Sequence, residues 1–200
     1  MMPDVLWNSP ITLEGKVVRL EPSTLTHVLG LATAGKDESI WKYMVYGNLS
    51  SLDSMEKWVN DLLRLQAAGT DLPFTVIHKT SGTIIGATRF LEMRARHRSL
   101  EIGGTWYTPL YQHTAVNPEC KYLMLKCAFE QLKCIRVQFK VDLRNEHSIR
   151  AIERLGAIRE GVLRNHMVLP DGTIRDSVYF SILDREWPDV KIKLEERLKS

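Results

Sequence analysis

The sequence predicts an α/β domain built on one mixed, mostly antiparallel sheet of about seven strands flanked by helices, with a parallel pair in its middle. Three observations predict it. Between residues 74 and 107, short β-branched and aromatic runs are separated by brief polar turns, the pattern of an antiparallel meander. From 100 to 141 the order becomes strand, helix, strand, and two strands joined through a helix are parallel. The last two long strand segments flank Pro170-Asp171-Gly172, where Pro fixes φ and Gly permits positive φ, so they form a hairpin.

The elements follow in order. Val17–Leu20 is a short strand, residues 24–34 a weak helix, and Trp41–Gly47 an aromatic stretch. In residues 52–68, Met55, Val59, Leu62, Leu63 and Ala67 recur at helical spacing, and Gly69 stops the helix. Phe74–Ile77, Thr83–Phe90 and Leu100–Tyr107 are the meander, with turns at 79–82 and 94–98. A helix from Pro118 to about Leu132 leads to the strand Ile135–Val141, whose apolar residues alternate on one face. A helix from about Glu146 to Leu155 ends at Gly156; Ala157–Val168 and Thr173–Leu183 are the hairpin, and residues 185–198 the last helix.

Length and composition narrow the class. The 200 residues are read as one domain, 1–200; 44% hydrophobic and 26% charged content is that of a globular chain, not a disordered or collagen-like one. A formal charge of +3 with no Lys/Arg arm falls short of a nucleic-acid module and suits anionic ligands such as phosphates. Cys120, Cys127 and Cys134, seven residues apart, match neither a CxxC metal pair nor a disulfide framework and are read as reduced core residues. The start MMPDVLWNSPITLEG has no basic apolar leader and no run reaches membrane length, so a soluble, cytoplasmic protein, monomeric or homodimeric, is expected. The six histidines show no HxxxH or HxH spacing and no GxSxG elbow occurs, so neither a metal site nor covalent catalysis is expected.

The central crossover carries the chemistry, because ligands bind beyond the carboxyl ends of parallel strands, where a helix N-terminus offers unpaired N–H groups. Asn117 is the expected N-cap with Pro118 at the first helical position, and the amides of Gln112, His113, Thr114, Ala115, Val116 and Asn117 are a candidate anion nest. The plain alternative is a well-capped strand-to-helix loop.

Longer motifs point further. Glu101-Ile102-Gly103 with Trp106-Tyr107-Thr108-Pro109, Ala128–Leu132 with Arg136-Val137, Asn145–Arg150 leading to Leu155-Gly156-Ala157, and Glu160–Arg164 come in order. Asp171-Gly172, Asp176, Tyr179 and Ser181–Leu183 complete the series. Together they resemble the GNAT superfamily of acyl-CoA N-acyltransferases, in the branch of the ribosomal-protein N-terminal acetyltransferases, over about residues 12–187. In the frame of that family's pyrophosphate loop, Gln112-His113-Thr114-Ala115-Val116-Asn117, the two small positions hold Ala115 and Asn117 instead of Gly and Gly or Ala.

The resemblance implies acetyl transfer from acetyl-CoA to a primary amine, a protein N-terminus or a small molecule, by direct transfer in a ternary complex. It implies a bulge over Gly103–Tyr107 that splays this strand from its parallel neighbour, with the backbone amides of Trp106 and Tyr107 as contacts for the thioester and pantetheine. It makes Ser148 the candidate acid for the departing thiolate, Asn145 a hold on the pantetheine, and Arg154 a phosphate contact; both Asn145 and Ser148 also sit where helix capping favours them. Glu101 is the candidate base, sharing a face by alternation with Gly103, Thr105 and Tyr107, with Asp142 and Tyr179 as alternatives. Trp41, Tyr43 and Tyr46 are the candidate acceptor wall, against ordinary core packing. The competing function is a non-catalytic acyl-CoA-binding or regulatory domain, motivated by Ala115 and Asn117. A weak nucleic-acid binder using Lys121, Lys126, Lys133 and Arg136 has little support.

Overall fold

The computed structural model describes Trp7 and residues 9–199; residues 1–6 and Asn8, part of the stretch read as lacking a leader, lie outside the described residues, as does Ser200. Eight strands make one sheet: β1 (Leu13–Glu14), β2 (Val18–Pro22), β3 (Leu72–His78), β4 (Thr83–Arg94), β5 (Ser99–Tyr107), β6 (Arg136–Asp142), β7 (Ile158–Val168) and β8 (Ile174–Leu183). Their order is β1-β2-β3-β4-β5-β6-β8-β7. Every pairing is antiparallel except β5 with β6. The eighth strand beyond the expected seven is the two-residue β1, too short for periodicity to show.

Among the described residues the α-helices of seven residues or more are α1 (Val28–Ala34), α2 (Leu52–Ala67), α3 (Val116–Lys126), α4 (Glu146–Glu153) and α5 (Trp187–Arg197). The weak helix expected from residue 24 opens as a 3-10 turn, Leu25–His27, before α1. Ser51 caps α2 by accepting from the Ser54 amide, and Gly69 beyond its end has φ +74°. The helix expected as one piece from Pro118 to Leu132 instead starts at Val116 and continues after α3 as a π-helix, Cys127–Gln131, closed by Leu132 N–H to Cys127 O at 3.0 Å. Ala115, not Asn117, is the N-cap. Pro118 therefore stands at the third helical position, still within the first turn, where no amide is needed.

Two apolar layers cover the sheet. On one face Leu20, Phe74, Phe90, Leu100, Ile102, Val137, Phe139 and Phe180 pack against Cys120, Met124 and Leu125 of α3 and Leu194 of α5. On the other, Leu31 and Ala32 of α1 and Met55, Trp58 and Val59 of α2 pack on Ala87 and Trp106. The three cysteines are buried and unbridged, as read, and burial pushes each thiol to about 12. Glu119, in the first turn of α3, is also buried and accepts from the amides of Lys16, Val17 and Val18 at 2.8, 2.7 and 2.8 Å, tying α3 to the β1–β2 turn.

The α1–α2 layer stops short of β6 and β8. There, Val137, Phe139 and Val141 alternate into the α3 side with Val178, Phe180 and Ile182. Alternation puts Gln138, Lys140 and Asp142 of β6 beside Arg175, Ser177, Tyr179 and Ser181 of β8 on the opposite face, a polar floor next to the helical layer.

Candidate active site

The parallel pair separates partway along its length. β5 and β6 pair at Ser99↔Arg136, Leu100↔Val137 and Glu101↔Gln138 and no further, although β5 continues to Tyr107 and β6 to Asp142. The cause lies in β5. Against β4 the register steps from Arg89↔Gly103 to Ala87↔Trp106, one extra residue in β5, and Gly104 takes φ +58°. A Cβ at Gly104 would stand 2.7 Å from the Tyr46 hydroxyl and 3.0 Å from Arg89 Nε, so the glycine allows both the left-handed backbone and the close approach. Behind the bulge, Thr105 Oγ1 meets Thr88 Oγ1 at 2.7 Å and accepts from Lys121 Nζ at 2.6 Å.

The extra residue reverses the alternation of β5. Leu100 and Ile102 point into the α3 layer before the bulge and Tyr107 after it, so Glu101 does not share a face with Thr105 and Tyr107 as expected. The bulge also sorts the two candidate amides. Thr108 N–H donates to Ile85 O at 2.8 Å, so the next pair, Gly86↔Tyr107, is a non-hydrogen-bonded one, and Tyr107 turns its N–H and C=O away from β4 into the gap. Gln112 Nε2 braces that carbonyl at 3.0 Å. By the same alternation the Trp106 amide faces Ala87 of β4, which removes it from the expected pair of contacts; its indole packs 4.9 Å from Trp41 and 6.3 Å from Trp58.

The loop ahead of α3 lies at the carboxyl end of β5. Gln112 N–H is bonded to Pro109 O and Val116 N–H to Thr114 Oγ1, so the expected nest narrows to the Asn117 amide in the first turn of α3 and the consecutive amides of His113, Thr114 and Ala115, which have no acceptor among the described residues; the consecutive run is the outward part. These three residues are exposed. His113 has φ +60°, which helps turn successive amides outward. Ala115 has φ −66°, an ordinary conformation for any residue, so alanine is unstrained where the family pattern has glycine. Asn117 accepts from the Tyr107 hydroxyl at 3.3 Å instead of capping the helix.

Beyond β6, Asn145 Oδ1 accepts from the Ser148 amide at 3.0 Å, which caps α4, while the Asn145 Nδ2 and Ser148 hydroxyl groups have no partner among the described residues. His147 Nε2 lies 3.3 Å from His113 Nδ1, so α4 and the amide loop meet across the mouth of the gap. Burial, then the charges of His113, Arg154 and Arg150, hold His147 below its ordinary pKa. Arg154 is thus on the same rim, exposed at the end of α4.

Glu101 stands at the last paired step, only 2% exposed. Its Oε2 accepts from Gln138 Nε2 at 3.0 Å and lies 3.6 Å from Lys140 Nζ. Burial raises its pKa above the ordinary carboxylate range, a shift Lys140 opposes in part. Asp142 is a poorer proton acceptor: burial pushes it up, but the Arg144 side chain and amide, bonded at 2.8–3.0 Å, bring it below the ordinary value. Tyr179, across from Lys140 on β8, is raised by burial and by Glu101.

The expected aromatic wall separates into parts. Tyr46 covers the bulge, with its hydroxyl 3.4 Å from Arg89 Nη2, and Arg89 in turn pairs with Asp71 at 3.0 Å. Tyr43 is half-buried under the Lys42 ammonium and in the field of Arg144. Trp41 is 4% exposed, donates from Nε1 to Gly35 O at 2.9 Å and packs in the helical layer, so it belongs to the core and not to the wall. Two residues of this region are not marked by the sequence as belonging to it: Lys121, buried behind the bulge, and Arg175, buried on the polar floor. Lys121 is unavailable to an exposed basic patch, and Arg136 is paired with Glu160. No group of three or more metal-binding side chains occurs among the described residues.

Comparison with known proteins agrees with this architecture. A family model described as an acetyltransferase (GNAT) domain matches residues 18–158. A curated Bacillus subtilis (strain 168) protein named as a ribosomal N-acetyltransferase, YdaF, is 29% identical over 110 residues, 55% of this chain and 59% of the relative. The crystal structure of a T. thermophilus protein described as an acetyltransferase is 37% identical, covers 95% of this chain and 98% of its own, and superposes with a TM-score of 0.86. Mycobacterium smegmatis RimJ, solved in complex with CoA-disulfide, shares the fold at 19% identity, with a TM-score of 0.81 over 95% of this chain and 96% of that one. This chain belongs to the GNAT family of acetyltransferases.

Proposed function

We propose that the chain transfers an acetyl group from acetyl-CoA to a primary amine by direct attack in a ternary complex. The splayed β5–β6 pair, opening opposite three acceptorless amides, carries this reading. The residues present fit coenzyme A. The amides of His113, Thr114 and Ala115 would hold its pyrophosphate with Arg154 on the rim, and the Tyr107 N–H and Asn145 Nδ2 would hold its pantetheine arm in the gap.

When bound, acetyl-CoA supplies the activated acetyl thioester. Glu101, with a raised pKa at the closed end of the gap, takes the proton from the acceptor ammonium directly or through water, leaving a neutral amine as the nucleophile. The Tyr107 N–H, aimed into the gap, places a donor where the thioester carbonyl gains charge. The Ser148 hydroxyl, without a partner among the described residues, gives its proton to the departing sulfur and takes one back, through water, as the acylated nitrogen loses its extra proton. Tyr46 and Tyr43 line the acceptor side. The name of the B. subtilis relative directs the search for acceptors first to ribosomal-protein N-termini.

Calorimetry with acetyl-CoA, followed by a thiol-release assay over an amine panel that includes N-terminal peptides, tests the proposal. Binding with release on at least one amine is expected. Binding without release would favour a regulatory acyl-CoA sensor, and no binding would exclude both. Ser148→Ala should lower turnover at least tenfold while leaving acetyl-CoA affinity unchanged, and an unchanged rate removes Ser148 from the acid role.

A further inference from the structure

Arg175 lies on the polar floor, 5% exposed. Its Nε donates to Ser177 Oγ at 3.0 Å, and the same oxygen meets His166 Nδ1 at 3.0 Å. The two terminal amino groups of the guanidinium have no acceptor among the described residues. The enclosed Arg89 differs in this respect, ending on Asp71, and the exposed Arg144 ends on Asp142. Asp142 does feel the charge of Arg175, but its oxygens are already taken by Arg144.

The register shows where the free end points. Arg175 shares a face with Ser177 and Tyr179, which stand across from Asp142 and Lys140 of β6. The bond to Ser177 lays the side chain along β8 toward Ser177, so the guanidinium ends level with Asp142, at the end of β6 that β5 leaves unpaired. Counting on from Glu101↔Gln138, Asp142 is four residues beyond the last parallel pair and Thr105 of the bulge is four beyond it on the other strand. The charges that Arg175 senses are those of Asp142, Glu101, Tyr179 and Tyr46, groups from both sides of the gap. The turn after β7 also reaches this end of the gap: Pro170 lies 3.6 Å from where a Gly47 Cβ would stand, next to Tyr46.

The Arg175 stem is buried while its terminal amino groups still reach solvent, so they stand open to a ligand, and the planar fork suits carboxylate and carbonyl oxygens. We infer that Arg175 binds an oxygen acceptor beside the reactive amine, so that the acceptor is an α-amino acyl compound, a peptide N-terminus or an amino acid, and not a simple alkylamine or polyamine. The inference rests on the amine-transfer reading above. A polyamine would set a second cation against Arg175, whereas the oxygen on the carbon next to an α-amine lies within reach of a guanidinium while the amine faces Glu101.

The test is thiol release from acetyl-CoA with acceptors of one side chain: alanine, alaninamide, an Ala-Ala peptide amide, and ethylamine, which lacks the oxygen. With each rate referred to the neutral fraction of that amine at the assay pH, the wild type is expected to favour at least one oxygen-bearing acceptor over ethylamine by about 100-fold or more in kcat/KM. The free acid against the two amides tells whether a carboxylate or a peptide carbonyl is the natural partner. Arg175→Met should reduce that preference to within a few fold, chiefly through KM, and leave ethylamine unchanged. Arg175→Lys, keeping the charge without the fork, should fall between. The melting temperature provides a reading independent of turnover: Arg175→Met should not melt below the wild type, and the upward shift that alaninamide gives the wild type in the presence of coenzyme A should vanish.

Equal use of ethylamine and alaninamide by the wild type, or an equal loss on every acceptor in Arg175→Met, would overturn the inference. So would a variant that melts well below the wild type, because that marks Arg175 as a structural tie. Acetyl-CoA binding with no release on any acceptor is a different failure, that of the amine-transfer reading itself.

Discussion

Replacing Lys121 by Met should flatten the alkaline rise of this protein's stability. Lys121 lies behind the β5 bulge, 5% exposed, and its one hydrogen-bond partner among the described residues is the Thr105 hydroxyl at 2.6 Å. Burial lowers its pKa from 10.5 to about 8, against a small upward pull from Cys120. Each pH unit between those values corresponds to about 1.36 kcal/mol, so the charged side chain costs the fold about 3 kcal/mol well below pH 8. The sign follows from proton binding. The unfolded chain holds the proton up to pH 10.5 and the folded chain only to about 8, so stability gained from this group is lost as pH falls through 8 and recovered as pH rises. Between about pH 7 and 9.5 the recovery is about 2 kcal/mol. At ~2–4 °C per kcal/mol, that is a rise of roughly 4–8 °C in melting temperature. The assay is scanning calorimetry of the wild type and Lys121→Met across that range, read as a difference. The subtraction removes Cys127 and Cys134, whose thiols, raised to about 12, act in the opposite direction above about pH 9. Parallel profiles for the two proteins would refute the reasoning, because they would mean that Lys121 is solvated and titrates normally.

Gly104→Ala forces an alanine into φ +58° against the Tyr46 hydroxyl, at about 1–2 kcal/mol for the backbone alone, so melting should fall by roughly 2–8 °C and thiol release should drop with it. Glu119→Ala leaves three amides without their carboxylate and should cost on the order of 3–5 kcal/mol, with faster hydrogen exchange at Lys16, Val17 and Val18 as the local signature. Glu101→Gln should lower kcat/KM by ~100-fold or more and abolish the limb of the pH–rate profile that climbs through a pKa above the ordinary carboxylate value. The same raised pKa means that ionised Glu101 weakens the fold, so the Gln variant should gain stability relative to wild type as pH rises past 4.5.

The strands and helices were legible wherever one face is buried, because burial imposes a period of two or 3.6 on the residues. The meander, the crossover and the hairpin are all of this kind. The bulge is different. Nothing in Gly103-Gly104 states that one glycine adopts positive φ and adds a residue against β4, and that single step moves Tyr107 to the face opposite Glu101. The start of α3 was misplaced by two residues because Pro118 is tolerated throughout a first turn and does not fix which position it holds. Among the candidate residues, Tyr46, Asn145 and Ser148 gather around the gap, whereas Trp41 joins the core because its indole finds a partner in Gly35. Arg175 was hidden for a related reason. Its alternation with Val178 and Phe180 shows only that it leaves the core face; that this outward position is nonetheless buried is a tertiary fact, which alternation does not carry. A sequence signal was available in Arg175-x-Ser177-x-Tyr179, three polar side chains on one face of a strand that is not at the sheet edge.

The most direct test of the account is a crystal structure with coenzyme A bound. The account predicts the pantetheine arm between Gly103–Tyr107 and Phe139–Asp142, the pyrophosphate on the amides of His113, Thr114 and Ala115, and the thiol within hydrogen-bonding distance of Ser148 Oγ. Coenzyme A bound elsewhere, or β5 and β6 paired along their whole length with the gap closed, would contradict it.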